Sequence, residues 1–126
     1  MLRLFGEGRS PSVVDDQIGT PTHARSLARA LWRAAADPDF QGLHHYTDAG
    51  VASWYDFAVA ILEEARARAL VGADVTVAPI PSSRYPTPAR RAPYAVLDKT
   101  DTWLRLGGPP AHWREELRRA LTEIAA

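Results

Sequence analysis

Two stretches of this chain carry side chains that could do chemistry. The first is Asp15-Asp16-Gln17, two carboxylates and an amide set directly after Val13-Val14. Adjacent carboxylates can share a cation or raise one another's pKa, and the amide offers both a donor and an acceptor. No third ligand stands at a defined spacing from the pair, so no metal site is expected. The second stretch contains Tyr85, the Arg90-Arg91 pair and Tyr94. Guanidinium groups pair bidentately with phosphates, and a tyrosine ring can pack on a planar ligand. His44 and His45 are neighbours and would point to opposite faces of a strand, so they are read as core or surface residues rather than metal ligands. No Ser/His/Asp set has a nucleophile motif, and no catalytic residue is assigned.

The elements that must position these groups follow from pattern. Val13-Val14 reads as a short buried strand, with Leu43 to Thr47 and Val75 to Ile80 as further strand candidates. Thr20 suits an N-cap and Pro21 the first helical position, where a missing N–H costs nothing. Apolar residues at helical spacing form a stripe from Ala24 through Leu27, Leu31 and Trp32 to Ala35, and another from Trp54 through Phe57, Ile61 and Leu62 to Ala65. Ser53 and Asp56 form a capping box for the second of these. Asp98 caps a short helix through Leu106 that Gly107-Gly108 ends, and Trp113, Leu117, Leu121 and Ile124 mark a last helix. His23 and His112 fall in the N-terminal turns of the first and last of these helices. The tryptophans are assigned to core packing. Between Ala78 and Leu97 stand Pro79, Pro81, Pro86, Pro88 and Pro93, which exclude helix and central strand. This segment is either a plain surface loop or a loop shaped to cover a ligand or another domain.

Composition sets the bounds. The chain has 126 residues, enough for one core, and 46% hydrophobic with 24% charged residues suits a soluble globular fold. Net charge is zero, with 15 basic and 15 acidic residues, which argues against a nucleic-acid or anionic-membrane surface. All the basic residues except Lys99 are arginine. There is no cysteine, no apolar run long enough to span a membrane, and no signal-peptide core in Met1 to Ser10. A cytoplasmic location is expected.

Four segments in order resemble one family. Val13-Val14-Asp15-Asp16-Gln17-Ile18-Gly19-Thr20-Pro21-Thr22 is similar to the Val-Val-Asp-Asp-Gln-x-Gly-x-Pro-Thr segment of dTDP-4-dehydrorhamnose reductases, which are extended short-chain dehydrogenase/reductases. Gly42-Leu43-His44-His45-Tyr46 resembles the family's Gly-x-Tyr-His strand, and Ser53-Trp54-Tyr55-Asp56-Phe57-Ala58 its Ser/Thr-Trp-x-x-Phe/Tyr-Ala helix start. Tyr85-Pro86-Thr87-Pro88-Ala89-Arg90-Arg91 and Val96-Leu97-Asp98 resemble its Tyr-Pro-Thr-Pro-Ala-x-Arg-Pro loop and the helix entry after it. The chain differs in having Pro93 one place late and Ala95 where the family has serine, which removes a hydroxyl.

The resemblance covers nearly the whole chain and maps to the C-terminal portion of such a reductase. It implies an α/β fold, mostly helical with a small sheet: residues 1–126 as a single substrate-side lobe, without the Rossmann cofactor lobe. The family's reaction reduces dTDP-4-dehydro-L-rhamnose with NADPH. No glycine-rich strand-to-helix turn occurs here, since Gly6-Glu7-Gly8 is too short, so no cofactor-binding residue is assigned. The family's Tyr-x-x-x-Lys pair is also absent, because Ala95 stands four before Lys99. The expectation is a substrate-binding part, not catalytic alone: a truncated relic, an excised piece, or the partner of a separate cofactor-binding chain. The resemblance places a dTDP-sugar against Asp16, Gln17, Tyr85, Arg90 and Arg91. Self-association is expected to cover surface that the cofactor lobe would otherwise hide, with Leu2, Leu4 and Phe5 included in that surface. The alternative is a non-catalytic nucleotide-sugar-binding or protein-interaction module.

Overall fold

The computed structural model describes residues 1–72 and 74–125. Five helices pack with four short strands: α1 (Leu2–Gly6), β1 (Ser12–Val14), β2 (Ile18–Gly19), α2 (Ala24–Ala35), β3 (Ala52–Ser53), α3 (Trp54–Ala67), β4 (Ala78–Ile80), α4 (Thr100–Arg105) and α5 (Trp113–Ala125). The strands form two small pairs. β1 lies parallel to β4 with Val14 opposite Ile80, and β2 lies antiparallel to β3 with Ile18 opposite Ser53.

Helix α3 is the centre of the fold. Its start is fixed by reciprocal bonds: the Asp56 N–H donates to Ser53 Oγ at 2.9 Å, and the Ser53 N–H donates to Asp56 Oδ2 at 2.9 Å. Ala58, Ala60, Ile61, Leu62 and Ala65 are buried because α1, β1 and α5 cover the helix on several sides. The core gathers Phe5 from α1 and Trp113, Leu117 and Leu121 from α5 around them. Each large apolar side chain so buried stabilises by about 1.5–3 kcal/mol. Phe5 therefore belongs to the core, not to the uncovered surface foreseen for the N-terminal segment. Phe57 meets Trp113 edge-on, with ring centroids 5.8 Å apart.

Helix α4 ends as its residues dictate, but its N-cap is Lys99 and not the expected Asp98, which lies one residue before it. The Gly108 N–H bonds to the Trp103 carbonyl and the Gly107 N–H to the Leu104 carbonyl, the closing pattern that follows when a glycine adopts positive φ after a helix. Asp98 Oδ1 accepts from the N–H and hydroxyl of Thr100, and these two bonds hold its carboxyl below the usual carboxylate range.

Four other expectations are corrected. Helix α2 starts at Ala24 with His23 as its N-cap, three residues beyond Thr20. The reason is long-range: Asp48 Oδ2 accepts the His23 N–H at 2.8 Å, so the helix is capped from outside its own sequence. Leu43 to Thr47 forms no strand, and the backbone N–H and C=O groups of Leu43 to Tyr46 bond to no described residue. A strand needs a neighbour to satisfy those groups, and none lies beside it. The third candidate strand is shorter than expected and covers only Ala78–Ile80. Finally, α2 turns its apolar stripe outward. Among its residues only Ser26 and Ala30 are buried, while Leu31 is 60% and Trp32 79% exposed.

Candidate functional site

The proline-rich segment is tied down beside the Asp15-Asp16-Gln17 loop at two points. Both carboxylate oxygens of Asp16 accept the Ser82 N–H, at 2.9 and 3.0 Å, and the Ser82 hydroxyl donates to Asp16 Oδ2 at 2.9 Å. Further along, the Ile18 N–H donates to the Pro93 carbonyl at 2.8 Å, and the Ala95 N–H donates to the Ile18 carbonyl at 2.9 Å. Strand β2 thus lies between β3 on one side and residues 93–95 on the other. The segment is thus fixed at both ends, because loop backbone that finds fixed partners is positioned.

Between these elements lies a cavity of about 560 Å³. β2 and β3 supply Ile18, Gly19, Ala52 and Ser53. The first turn of α3 supplies Trp54 and Phe57, the loop after β1 supplies Gln17, and the segment after β2 supplies Thr20 and Pro21. The tethered segment closes it with Arg91, Ala92 and Ala95. Arg91 is the only charged residue among the described lining, and it forms no ion pair or hydrogen bond with any described residue. An unpaired guanidinium, an amide, two hydroxyls and an aromatic face suit a ligand with an anionic group and a planar ring.

The expected site residues divide accordingly. Gln17 and Arg91 share the cavity. Asp16 does not line it, since its carboxylate is used on Ser82. Tyr85 and Arg90 are exposed and stand outside the lining, as does Tyr94, whose backbone bridges to Ile18. Sequence reasoning missed Trp54, placed with the core but 54% exposed at the cavity. Its position was the available signal. Trp54 directly follows the Ser53 N-cap, and a side chain there leans towards the N-terminal end of the helix, over the strands rather than along the buried stripe. Trp32 is likewise exposed and Trp103 half-buried, while Trp113 belongs to the buried core.

Residues outside this lining form a buried polar network. Asp48 accepts from the His23 N–H and from Ser26 Oγ, whose oxygen also bonds Tyr46 Oη at 2.8 Å. His23 Nδ1 lies 3.0 Å from Glu116 Oε2. Burial opposes ionisation of Glu116, but the His23 bond and the Arg119 and Arg29 guanidiniums outweigh it and hold the carboxyl below its usual range. Burial raises the Tyr46 hydroxyl above its ordinary value. Among the described residues no three His, Asp or Glu converge to hold a metal, and no helix is long and apolar enough to cross a membrane.

Helical cover on short strand pairs, with a cavity between the strand ends and the first turn of α3, is the architecture of a small α/β ligand-binding lobe. The chain belongs to the family described as "RmlD substrate binding domain", which matches residues 1–126. It is 35% identical over 123 residues to the spore coat polysaccharide biosynthesis protein SpsK of Bacillus subtilis, covering 98% of this chain and 40% of that protein. It is 34% identical to the dTDP-4-dehydrorhamnose reductase of Escherichia coli K12, covering 98% of this chain and 43% of the relative. A solved dTDP-4-dehydrorhamnose reductase from Clostridium acetobutylicum superposes with a TM-score of 0.84 at 31% identity, over 99% of this chain and 42% of the other. Another, from Bacillus anthracis, was solved in complex with NADP and superposes at 0.77 with 28% identity, over 97% of this chain and 41% of the other. The chain thus spans about two fifths of the length of the relatives it matches.

Proposed function

We propose that residues 1–126 act as a single substrate-side lobe that binds a dTDP-sugar in the β2–α3 cavity and does not transfer hydride by themselves. The observation that carries this reading is Arg91, an unpaired guanidinium on a cavity with no other charged lining residue among those described. The diphosphate would meet Arg91, Gln17 would bond the base or sugar, and Trp54 would pack on a ring. In this reading Asp16 acts through its Ser82 tether, while Tyr85 and Arg90 would reach a ligand only at the outer edge of the loop.

NADPH, which the family uses, does not fit the residues present. A pyrophosphate needs a glycine turn leading into free N–H groups at a helix start. Helix α3 instead opens on Ser53 with the Asp56 carboxylate over its first turn, and α2 opens on Thr22-His23 with the His23 N–H held by Asp48. Calorimetry with dTDP and with NADPH tests both halves of the proposal. Weak saturable heat is expected for dTDP, near the millimolar range, and none for NADPH. Arg91→Ala should weaken dTDP binding roughly ten- to hundredfold, the value of a charge-assisted contact of about 1.5–3 kcal/mol. Equal affinity in wild type and variant would remove Arg91 from the site, and NADPH binding would overturn the assignment of a lobe without a cofactor site.

A partner belongs to the same reading, since α2 presents Leu31 and Trp32 to solvent next to the unpaired backbone of Leu43 to Tyr46. In the isolated chain the proposed occupant is a second copy. Antiparallel pairing of two such edges about a two-fold axis gives each copy the same donors and acceptors, and it covers both α2 stripes. Sedimentation at high micromolar concentration should show a dimer that Trp32→Asp converts to monomer. A folded wild-type chain that stays monomeric would leave a separate cofactor-binding chain as the partner to seek.

A further inference from the structure

Apart from the β2–α3 cavity, three arginines line a second cavity of about 280 Å³. Arg29 and Arg33 come from successive turns of α2 and Arg119 from α5, while Tyr46 and the Gly107-Gly108 turn complete the wall. Like charges four residues apart on a helix destabilise it unless something neutralises them. The carboxylates nearby are Glu116, which is 2% exposed, Glu115, and the buried Asp48 behind Ser26. Glu116 is divided between Arg119, Arg29 and His23, and its contact to Arg29 is long, at 3.3 Å. Glu115 is taken by Arg119 at 2.6 Å. Arg33 pairs with no described residue. Its guanidinium rests on Gly107, where a Cβ would lie 3.2 Å from Arg33 Nη2 and where φ is +85°. A glycine is what lets the cation lie against this turn.

We propose that this cavity is an oxyanion site for a phosphate group, held by Arg33 and Arg29. Arg33 has no carboxylate partner among the described residues and Arg29 only the long contact to Glu116, so an added anion finds two guanidiniums that are not fully paired. The planar forks of Arg33 and Arg29 match the oxygens of a phosphate better than a monovalent halide. The cavity is also larger than a bare phosphate, so a phosphate monoester would fill it further. The site is independent of the dTDP-sugar reading, because its residues share none of the β2–α3 lining.

The test is an amide-shift titration at constant ionic strength, with inorganic phosphate in one arm and glycerol phosphate in the other. Saturable shifts are expected at Arg33, Tyr46, Gly107 and Gly108. Arg33→Gln, on an exposed helix face, should weaken binding roughly ten- to hundredfold. Arg91→Ala should leave it unchanged. Tighter binding of the ester would identify a phosphorylated metabolite as the ligand type, and equal binding would identify free phosphate. Shifts that never saturate, that scatter over the surface, or that persist unchanged in Arg33→Gln would overturn the proposal.

Discussion

Asp48→Ala is expected to cost the fold about 3–5 kcal/mol, read as a fall in the denaturant midpoint at constant slope. Asp48 is fully buried, at 0% exposure, and two donors converge on it from a different part of the chain. Removing it orphans the His23 N–H at the start of α2 and takes the acceptor from the Ser26 hydroxyl, which is left with Tyr46 alone. Each buried group left without a partner costs about 1–3 kcal/mol. The loss is a large fraction of the roughly 5–15 kcal/mol that holds a domain folded. Asp48→Asn keeps one acceptor oxygen and should recover part of the loss. A drop below about 1 kcal/mol for the alanine variant would mean that α2 is held by other contacts.

Gly50→Ala should be of similar size, about 2–4 kcal/mol, for a steric reason. Gly50 has φ +87°, and a Cβ there would stand 2.2 Å from His112 Nε2 and 2.9 Å from Trp113 Cδ1. The crowding follows from backbone bonds: the Ala49 N–H donates to the Ala111 carbonyl and the Trp113 N–H to the Ala49 carbonyl, drawing this turn onto the start of α5. A cycle with His112→Ala separates the causes. Removing the imidazole should relieve much of the penalty and leave about 1–2 kcal/mol for the left-handed backbone and the Trp113 contact. An unchanged penalty in the His112→Ala background would place the whole effect in the backbone and the Trp113 contact.

What could be read from residues alone was what neighbouring residues decide. The Ser53–Asp56 capping box and the Gly107-Gly108 helix end are local chemistry, and both stand where the pattern put them. The start of α2 was misplaced because its cap, Asp48, lies 25 residues away. Leu43 to Tyr46 has the composition of a strand but lacks the neighbour that makes one. The stripe on α2 was recognised as helical, but periodicity does not say whether an apolar face meets a core or open surface. In the site, Gln17 and Arg91 share the cavity because Ile18 is bonded to Pro93 and Ala95, and such a pairing has no signature at either end of the sequence. Asp16 read as a binding residue because a carboxylate looks alike in either role, and here it fastens Ser82.

That fastening separates the shape of the cavity from the length of the loop above it. The chain leaves the fold at Ser82 and re-enters at Pro93, and both ends are pinned to consecutive parts of one short stretch, Asp16 to Ile18. Between the pins nothing in the cavity floor depends on how many residues intervene. Doubling a flexible loop adds only about 0.6 kcal/mol of closure cost. Insertions and deletions between Ser83 and Arg90 therefore offer evolution a nearly neutral dial on which outer groups reach a ligand, while Arg91 stays where the pin at Pro93 holds it.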